Sequence, residues 1–360
     1  MIPFSGSYRS EDTVFLLKPL CLEMVDVNAK ERLIQSGARH YSEMLSPEQA
    51  PSPRYLTLFD LLVERYAPRL AAEILALARY LAETRSRQVT VVSLARAGTP
   101  VGALLARALR WLGRTDVRHY SISIIRDRGI DENALAFILR RAGREPAGLA
   151  FVDGWTAKGV IGEELRRALK HWNARQPESL EEALHVVSDI GGIADVTATY
   201  DDYAIPSGIL NATVSGLTSR SILNDAIGPD DFHGCVFYRE FEPHDRSGWF
   251  LDRVAGCFAA AEPVPPRRDP GERRERRQAM TDFLNRLHAR YRVRNRNFVK
   301  PGVAEATRVL LRRLPGLLLL READHPDVEH LRLLAEEKRV PVVIDPAMPI
   351  QATALIEDLS

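Results

Sequence analysis

Two stretches of this chain carry residue types that could bind an anion. The first is Phe151-Val152-Asp153-Gly154-Trp155-Thr156-Ala157-Lys158-Gly159, followed by an amphipathic run from Val160 to Trp172. An apolar run into an aspartate, then a small turn, predicts a buried strand, a tight loop and a helix. A helix start presents free backbone N–H groups and partial positive charge to an anion. Asp153 at the strand end is placed to hold ribose hydroxyls. Gly154, Thr156, Ala157, Lys158 and Gly159 could cradle a 5′-phosphate. The second stretch, Arg96, Ala97, Gly98 and Thr99, follows the valine-rich run 88–94 and could offer N–H groups to a pyrophosphate. Between them lies the charged loop Arg126 to Asp131, whose Arg126 and Arg128 could close over a reacting anion and exclude water. Together these are the parts for binding phosphoribosyl pyrophosphate (PRPP) with Mg²⁺.

Other groupings are weighed beside these. Asp202, Asn211, Ser215, Ser219 and Arg220 are packed into a short, donor-rich segment. They are candidates for an acceptor pocket; the plainer reading is a capped turn. Cys235 lies two residues after His233, so on a strand the two would share a face, as a thiol and base could. Paired core residues on a strand are the commoner explanation. Cys21 and Cys257 sit in apolar contexts and read as buried thiols. His40 and Glu43 could pair, with rim polarity as the alternative.

The elements that position these residues follow from periodicity. Leu56 to Thr84 repeats at helical spacing with Pro68 as a break, so two helices are expected. Strands are expected at 88–94, at Val117 to Ile125, at the opening of the Asp153 stretch and at Leu184 to Ser188, alternating with helices. That alternation predicts an α/β fold with a parallel, doubly wound sheet and ligands at the strand carboxyl ends. Residues 262–294 begin with Pro263, Pro265 and Pro266 and continue as a charged linker and helix. Residues 295–360 form a small α/β unit, with a final helix expected after Pro349. Residues 1–261 form the first domain.

Composition narrows the class. Lys and Arg number 49 and Asp and Glu 48 in 360 residues, giving a net charge of +1. No global basic field demands nucleic acid. Three cysteines are too few and too scattered for a disulfide framework or a four-ligand zinc site. Neither a secretory signal nor an apolar run long enough for a bilayer is present. A reducing, cytoplasmic setting without membrane contact is expected.

The strand–Asp–turn–Thr-x-Lys-Gly–helix element resembles the PRPP motif of type I phosphoribosyltransferases, and Ser93 to Pro100 resembles their pyrophosphate loop. Gly154 stands where such motifs carry a second acid. The strings HYSEML, SLARAGTPVG, HYSISIIRDRGID, FVDGWTAKG and IPSGILNATVSGLTSR resemble bacterial phosphoribosyltransferase-like proteins of tellurium-resistance-type gene clusters. Some members are labelled as cysteine proteases under the name StiP. Residues 295–360 resemble a Pelota-type, L7Ae-like RNA-binding domain. The resemblance implies transfer of phosphoribosyl from PRPP, with Mg²⁺, to a small acceptor. It also implies RNA as a partner, and dimers are usual in such folds. The alternatives are a PRPP or nucleotide sensor without turnover, and a cysteine protease.

Overall fold

A computed structural model describes residues 2–85 and 87–359. The chain begins with β1 (Val14–Leu16), β2 (Lys18–Pro19), α1 (Val27–Gln35), α2 (Pro53–Thr84), β3 (Val89–Ala95), α3 (Gly98–Trp111), β4 (Val117–Ile125), β5 (Gly129–Ile130) and α4 (Glu132–Ala136). It continues with β6 (Leu149–Thr156), α5 (Val160–Arg175), β7 (Leu184–Asp189), β8 (Val196–Thr199), β9 (Gly234–Cys235) and α6 (Ser247–Ala255). Then follow α7 (Pro270–Tyr291), β10 (Val299–Pro301), α8 (Val303–Arg312), β11 (Pro315–Leu320), α9 (Glu329–Lys338), β12 (Val342–Ile344) and β13 (Ala352–Ile356).

The fold is mixed α/β. Its main sheet runs β1-β4-β3-β6-β7-β8, all parallel, with β5 folded back on β4. Val-rich β3 lies at the centre, buried on both faces, as a parallel strand between helix layers must be. The chain steps from β3 to β4 on one side and then to β6 on the other. The order therefore reverses between β3 and β6, and the loops that follow these strands flank the crevice where open sheets bind ligands. Leu62, Leu70, Ile74, Leu104 and Phe250 of α2, α3 and α6 cover one face. Leu165, Leu169 and Trp172 of α5 cover the other, against Val92, Leu94 and Phe151.

Three expectations are corrected here. Pro68 does not divide α2, which is one 32-residue helix. Pro68 is exposed, so the Glu64 carbonyl it leaves without an N–H faces water, while Leu62, Val63, Tyr66 and Leu70 bury the opposite stripe. The Arg126–Asp131 segment is no open lid. It is a tight hairpin in which Gly129 and Ile130 pair with Ile125 and Ile124. The segment after Pro349 is not a helix but β13, an inner strand of a four-stranded sheet ordered β10-β13-β11-β12. Its five residues are all buried, because α7 packs on one face of that sheet and α8 and α9 on the other. The last core is continuous with the first: Val303, Ala306, Val309 and Leu310 of α8 belong to the same cluster as Leu62 and Leu70.

His119 shows how burial sets the stability of this sheet. Its Nδ1 lies 2.7 Å from the Asp12 carbonyl and its Nε2 2.8 Å from Ser93 Oγ. Burial lowers its pKa from 6.5 to about 4. In the unfolded chain it takes up a proton first, so its stabilising contribution, complete above pH 6.5, is lost as pH falls toward 4. Asp153 and Asp202, raised to about 7, act in the opposite sense over the acid range. A difference measurement therefore isolates the histidine. Urea unfolding of the wild type and His119→Gln at pH 7 and pH 5 is expected to show a gap that shrinks by about 2 kcal/mol at the lower pH. A gap that stays constant would contradict this assignment.

Candidate functional site

The crevice beside β6 opens into a cavity of about 380 Å³ lined by Asp153, Trp155 and Thr156–Gly162, and by Lys300, Glu305 and Arg308 from the C-terminal unit. Asp153 Oδ1 accepts the Gly154 N–H at 2.8 Å. Burial raises its carboxyl to about 7, against the opposing pull of Arg308. Gly159 caps α5 with φ of 85°, and a Cβ there would meet Ile193 Cδ1 at 2.7 Å. The strand itself runs on through Gly154, Trp155 and Thr156, three residues past the Asp153 expected at its end, so only Ala157 to Gly159 are left to form the loop. The loop's surroundings differ as well.

The C-terminal unit roofs this loop. Lys158 Nζ donates to the carbonyls of Arg296 and Val299 at 2.9 and 2.8 Å. Burial, with help from Lys300, lowers its pKa to about 7. Trp155 Nε1 donates to Glu305 Oε1 at 3.2 Å, and Arg308 donates to the same oxygen at 2.6 Å. The Arg308 guanidinium also stacks over the Trp155 ring, 4.5 Å from its centroid. Asp202 reaches the same unit from below. Its Oδ1 accepts from Val303 N at 2.8 Å, and its Oδ2 from Gln351 N and Ala352 N at 2.9 and 3.3 Å. Lys158 and Asp202 are therefore ties between the two units, not contacts waiting for phosphate or acceptor.

The first loop does not join the cavity. Arg96 is buried, with Nη2 2.6 Å from Glu48 Oε1 and Nη1 2.7 Å from the Thr218 carbonyl. Thr99 Oγ1 lies 2.7 Å from Ser121 Oγ. Gly98 is demanded by packing: a Cβ there would meet the Val152 carbonyl at 2.7 Å, so α3 can start against β6 only without a side chain. Ala97 lies under Gly154, with its carbonyl 3.2 Å from where a Cβ would stand. Arg126 does line the cavity, while Arg128 pairs with Glu43 elsewhere. Of the acceptor candidates, Arg220 alone reaches an adjoining cavity of about 210 Å³. Ser215 Oγ donates to the Asn211 carbonyl and Ser219 Oγ to the Arg220 carbonyl, both at 2.7 Å. These residues brace a loop, which is the plainer reading of that segment.

The thiols are equally decided by burial. Cys235 is fully buried and its pKa is pushed up to about 12. His233 Nδ1 is engaged 2.7 Å from Ser123 Oγ, so no thiol–imidazole pair forms there. Cys257 is half-buried, with Sγ 3.5 Å from the Arg253 carbonyl. Cys21 is exposed, contrary to its apolar sequence context. It follows β2, which pairs with the strand of Cys235. His40 bonds Ser42, and Glu43 bonds Arg39 and Arg128, so they are not an acid–base pair. Mg²⁺ is expected only in company with PRPP, and among the described residues no group of three or more His, Cys, Asp and Glu could hold a metal ion by itself. Asp153 has no second acid beside it, and Glu305 is committed to Arg308 and Trp155.

Sequence reasoning missed Glu305, Lys300 and Arg308. A signal existed in Trp155, whose indole N–H needs a partner when half-buried, and in the helical spacing of Glu305 and Arg308.

Comparison with known proteins gives three findings. Residues 6–255 match the family described as tellurite-like stress resistance cysteine protease StiP, and residues 278–358 match the PELOTA RNA binding domain. A relative from Acinetobacter baylyi, named cysteine protease StiP, is 42% identical over 371 residues, covering 99% of this chain and 95% of its own. Hypoxanthine phosphoribosyltransferase from Trypanosoma cruzi aligns at 17% identity over 42% of this chain and 70% of its own, with a TM-score of 0.25. A Leishmania tarentolae HGPRT-ase aligns at 16% over 42% and 75%, with a TM-score of 0.23. Structural likeness this low carries no argument. The expected phosphoribosyl transfer, and with it the transferase and PRPP-binding assignments, is overturned by the relative and the family, which are both named for cysteine proteolysis. No helix among the described residues is long and apolar enough to cross a membrane.

The ties between units have a measurable strength. Asp202→Ala leaves three backbone N–H groups without their charged acceptor, and is expected to cost about 3–5 kcal/mol in chemical denaturation. A loss below about 1 kcal/mol would mean that the carboxylate does not hold the unit.

Proposed function

The chain belongs to the StiP family of tellurite-like stress resistance cysteine proteases, and we propose that it is a thiol-dependent peptidase acting in stress resistance, with an RNA-binding C-terminal unit. The observation that carries this reading is its relationship, over nearly the whole length of both chains, to a protein named for that activity. The match to the PELOTA model supports the second part, as does the exposed basic run Arg290, Arg292, Arg294 and Arg296 at the end of α7.

Chemistry then has to choose among three thiols. A nucleophilic cysteine must be reachable and must be able to lose its proton. Cys235 fails on both counts, being buried with a thiol pushed up to about 12. Cys257 is half-buried in the turn after α6, with Sγ against the Arg253 carbonyl. Exposure favours Cys21 as the nucleophile. Among the described residues no cysteine Sγ hydrogen-bonds a histidine ring, and the peptidase reading requires a base to reach Cys21 in the peptide complex. Catalytic pairs loosely aligned in free enzymes commonly tighten in this way.

The test is cleavage of an unstructured protein substrate by single Cys→Ser variants, with thiol alkylation in parallel. Cys21→Ser is expected to lower turnover by about 10³-fold or more, and Cys257→Ser to leave it nearly unchanged. Full activity in a variant lacking all three thiols would contradict the peptidase reading. Loss confined to Cys235→Ser, with the fold intact, would move the nucleophile.

A further inference from the structure

The two adjoining cavities share a wall of Ile34, Tyr41, Lys300, Glu305, Arg308 and Arg313, and so form one cleft between the units. Eight basic side chains line it, against the three carboxylates Glu48, Asp153 and Glu305. Most of these acids are already used. Glu48 is bonded to Arg96, and Glu305 to Arg308. Arg313 has a partner, Glu31. Lys30, Lys300 and Arg312 have no side-chain hydrogen bond or ion pair among the described residues. Lys30 is only 6% exposed. Like charges gathered in a partly dry site repel strongly, and a buried ammonium without a partner is costly. Burial and the neighbouring Arg220 lower the Lys30 ammonium to about 8, and burial lowers Lys300 to about 8 as well.

We propose that this cleft is a binding site for a small molecule carrying two or more phosphates, held by Lys30 of the first unit and Lys300 and Arg312 of the C-terminal unit. Several phosphate oxygens can satisfy cations that converge from opposite walls, which one carboxylate cannot. The volume suits a small molecule, not a folded RNA. Tyr41, with the guanidinium groups of Arg126 and Arg220 each over its ring, offers a partly buried aromatic wall beside the phosphates. Because the cations come from both units, the ligand also ties one to the other. The site does not depend on the peptidase reading.

Calorimetric titration of the full-length protein with tripolyphosphate, pyrophosphate, ADP, AMP and orthophosphate tests this. Tripolyphosphate, pyrophosphate or ADP is expected to bind at micromolar levels, with AMP and orthophosphate about tenfold weaker or more. ADP tighter than pyrophosphate identifies a nucleotide as the ligand; equal affinity identifies the polyphosphate group alone. Lys300→Gln with Arg312→Gln is expected to weaken binding about tenfold or more, without lowering the unliganded melting temperature, since repulsion is relieved. Lys30→Met serves as the second, isosteric variant. The ligand-induced rise in the wild-type melting temperature is an independent reading. No binding tighter than about 1 mM, or equal binding by both variants, would overturn the site. So would binding of single-stranded RNA alone.

Discussion

The arrangement of this protein rests on a reciprocal exchange of charge and backbone between its two units. Asp202 gives a carboxylate to three N–H groups of the C-terminal unit, and Lys158 gives an ammonium to two of its carbonyls. Each charge is largely removed from water, which costs several kcal/mol unless its hydrogen bonds are met. Both are met by fixed backbone groups, so each tie accepts one geometry only. The apolar core running from α2 into α8 supplies attraction across the same boundary.

Docking in that geometry changes what the sheet can do. In an open parallel sheet the reversal between β3 and β6 leaves a crevice at the strand ends. Here the crevice is closed from above by Glu305, Arg308 and Lys300, and Trp155 is clamped between loop and roof. The loop between β6 and α5 has become half of an interface. Its lysine faces carbonyl oxygens and its neighbouring glycine loop faces the core. The convergence of unpaired cations is a by-product of the same docking, because neither unit alone gathers them.

Much of the fold was legible in the chain. Strand β4 was expected over Val117 to Ile125 and is found there, because an alternating β-branched run between turns has few other solutions. Pro68 does not end α2 because it lies on the exposed face, where the carbonyl it frees can be hydrated, while the buried stripe opposite holds the helix together. The run after Pro349 is ambiguous because a short buried run of alanine, threonine, leucine and isoleucine suits an inner strand as well as a helix. The site was less legible. Asp153, Thr156 and Gly159 line a cavity, but the side chains that face them stand some 150 positions away in α8. Nothing local in the Asp202 segment shows that its acceptors reach Val303 and Gln351. Thiol reactivity was illegible for the same reason: exposure of Cys21 and burial of Cys235 depend on what packs over each.

Solution scattering from the full-length protein addresses the docking most directly. A closed pair of units of this length has a radius of gyration of about 21 Å, and the docked arrangement predicts that value with a single compact distance distribution. A radius several ångströms larger, with a second maximum from two separated bodies, would contradict it.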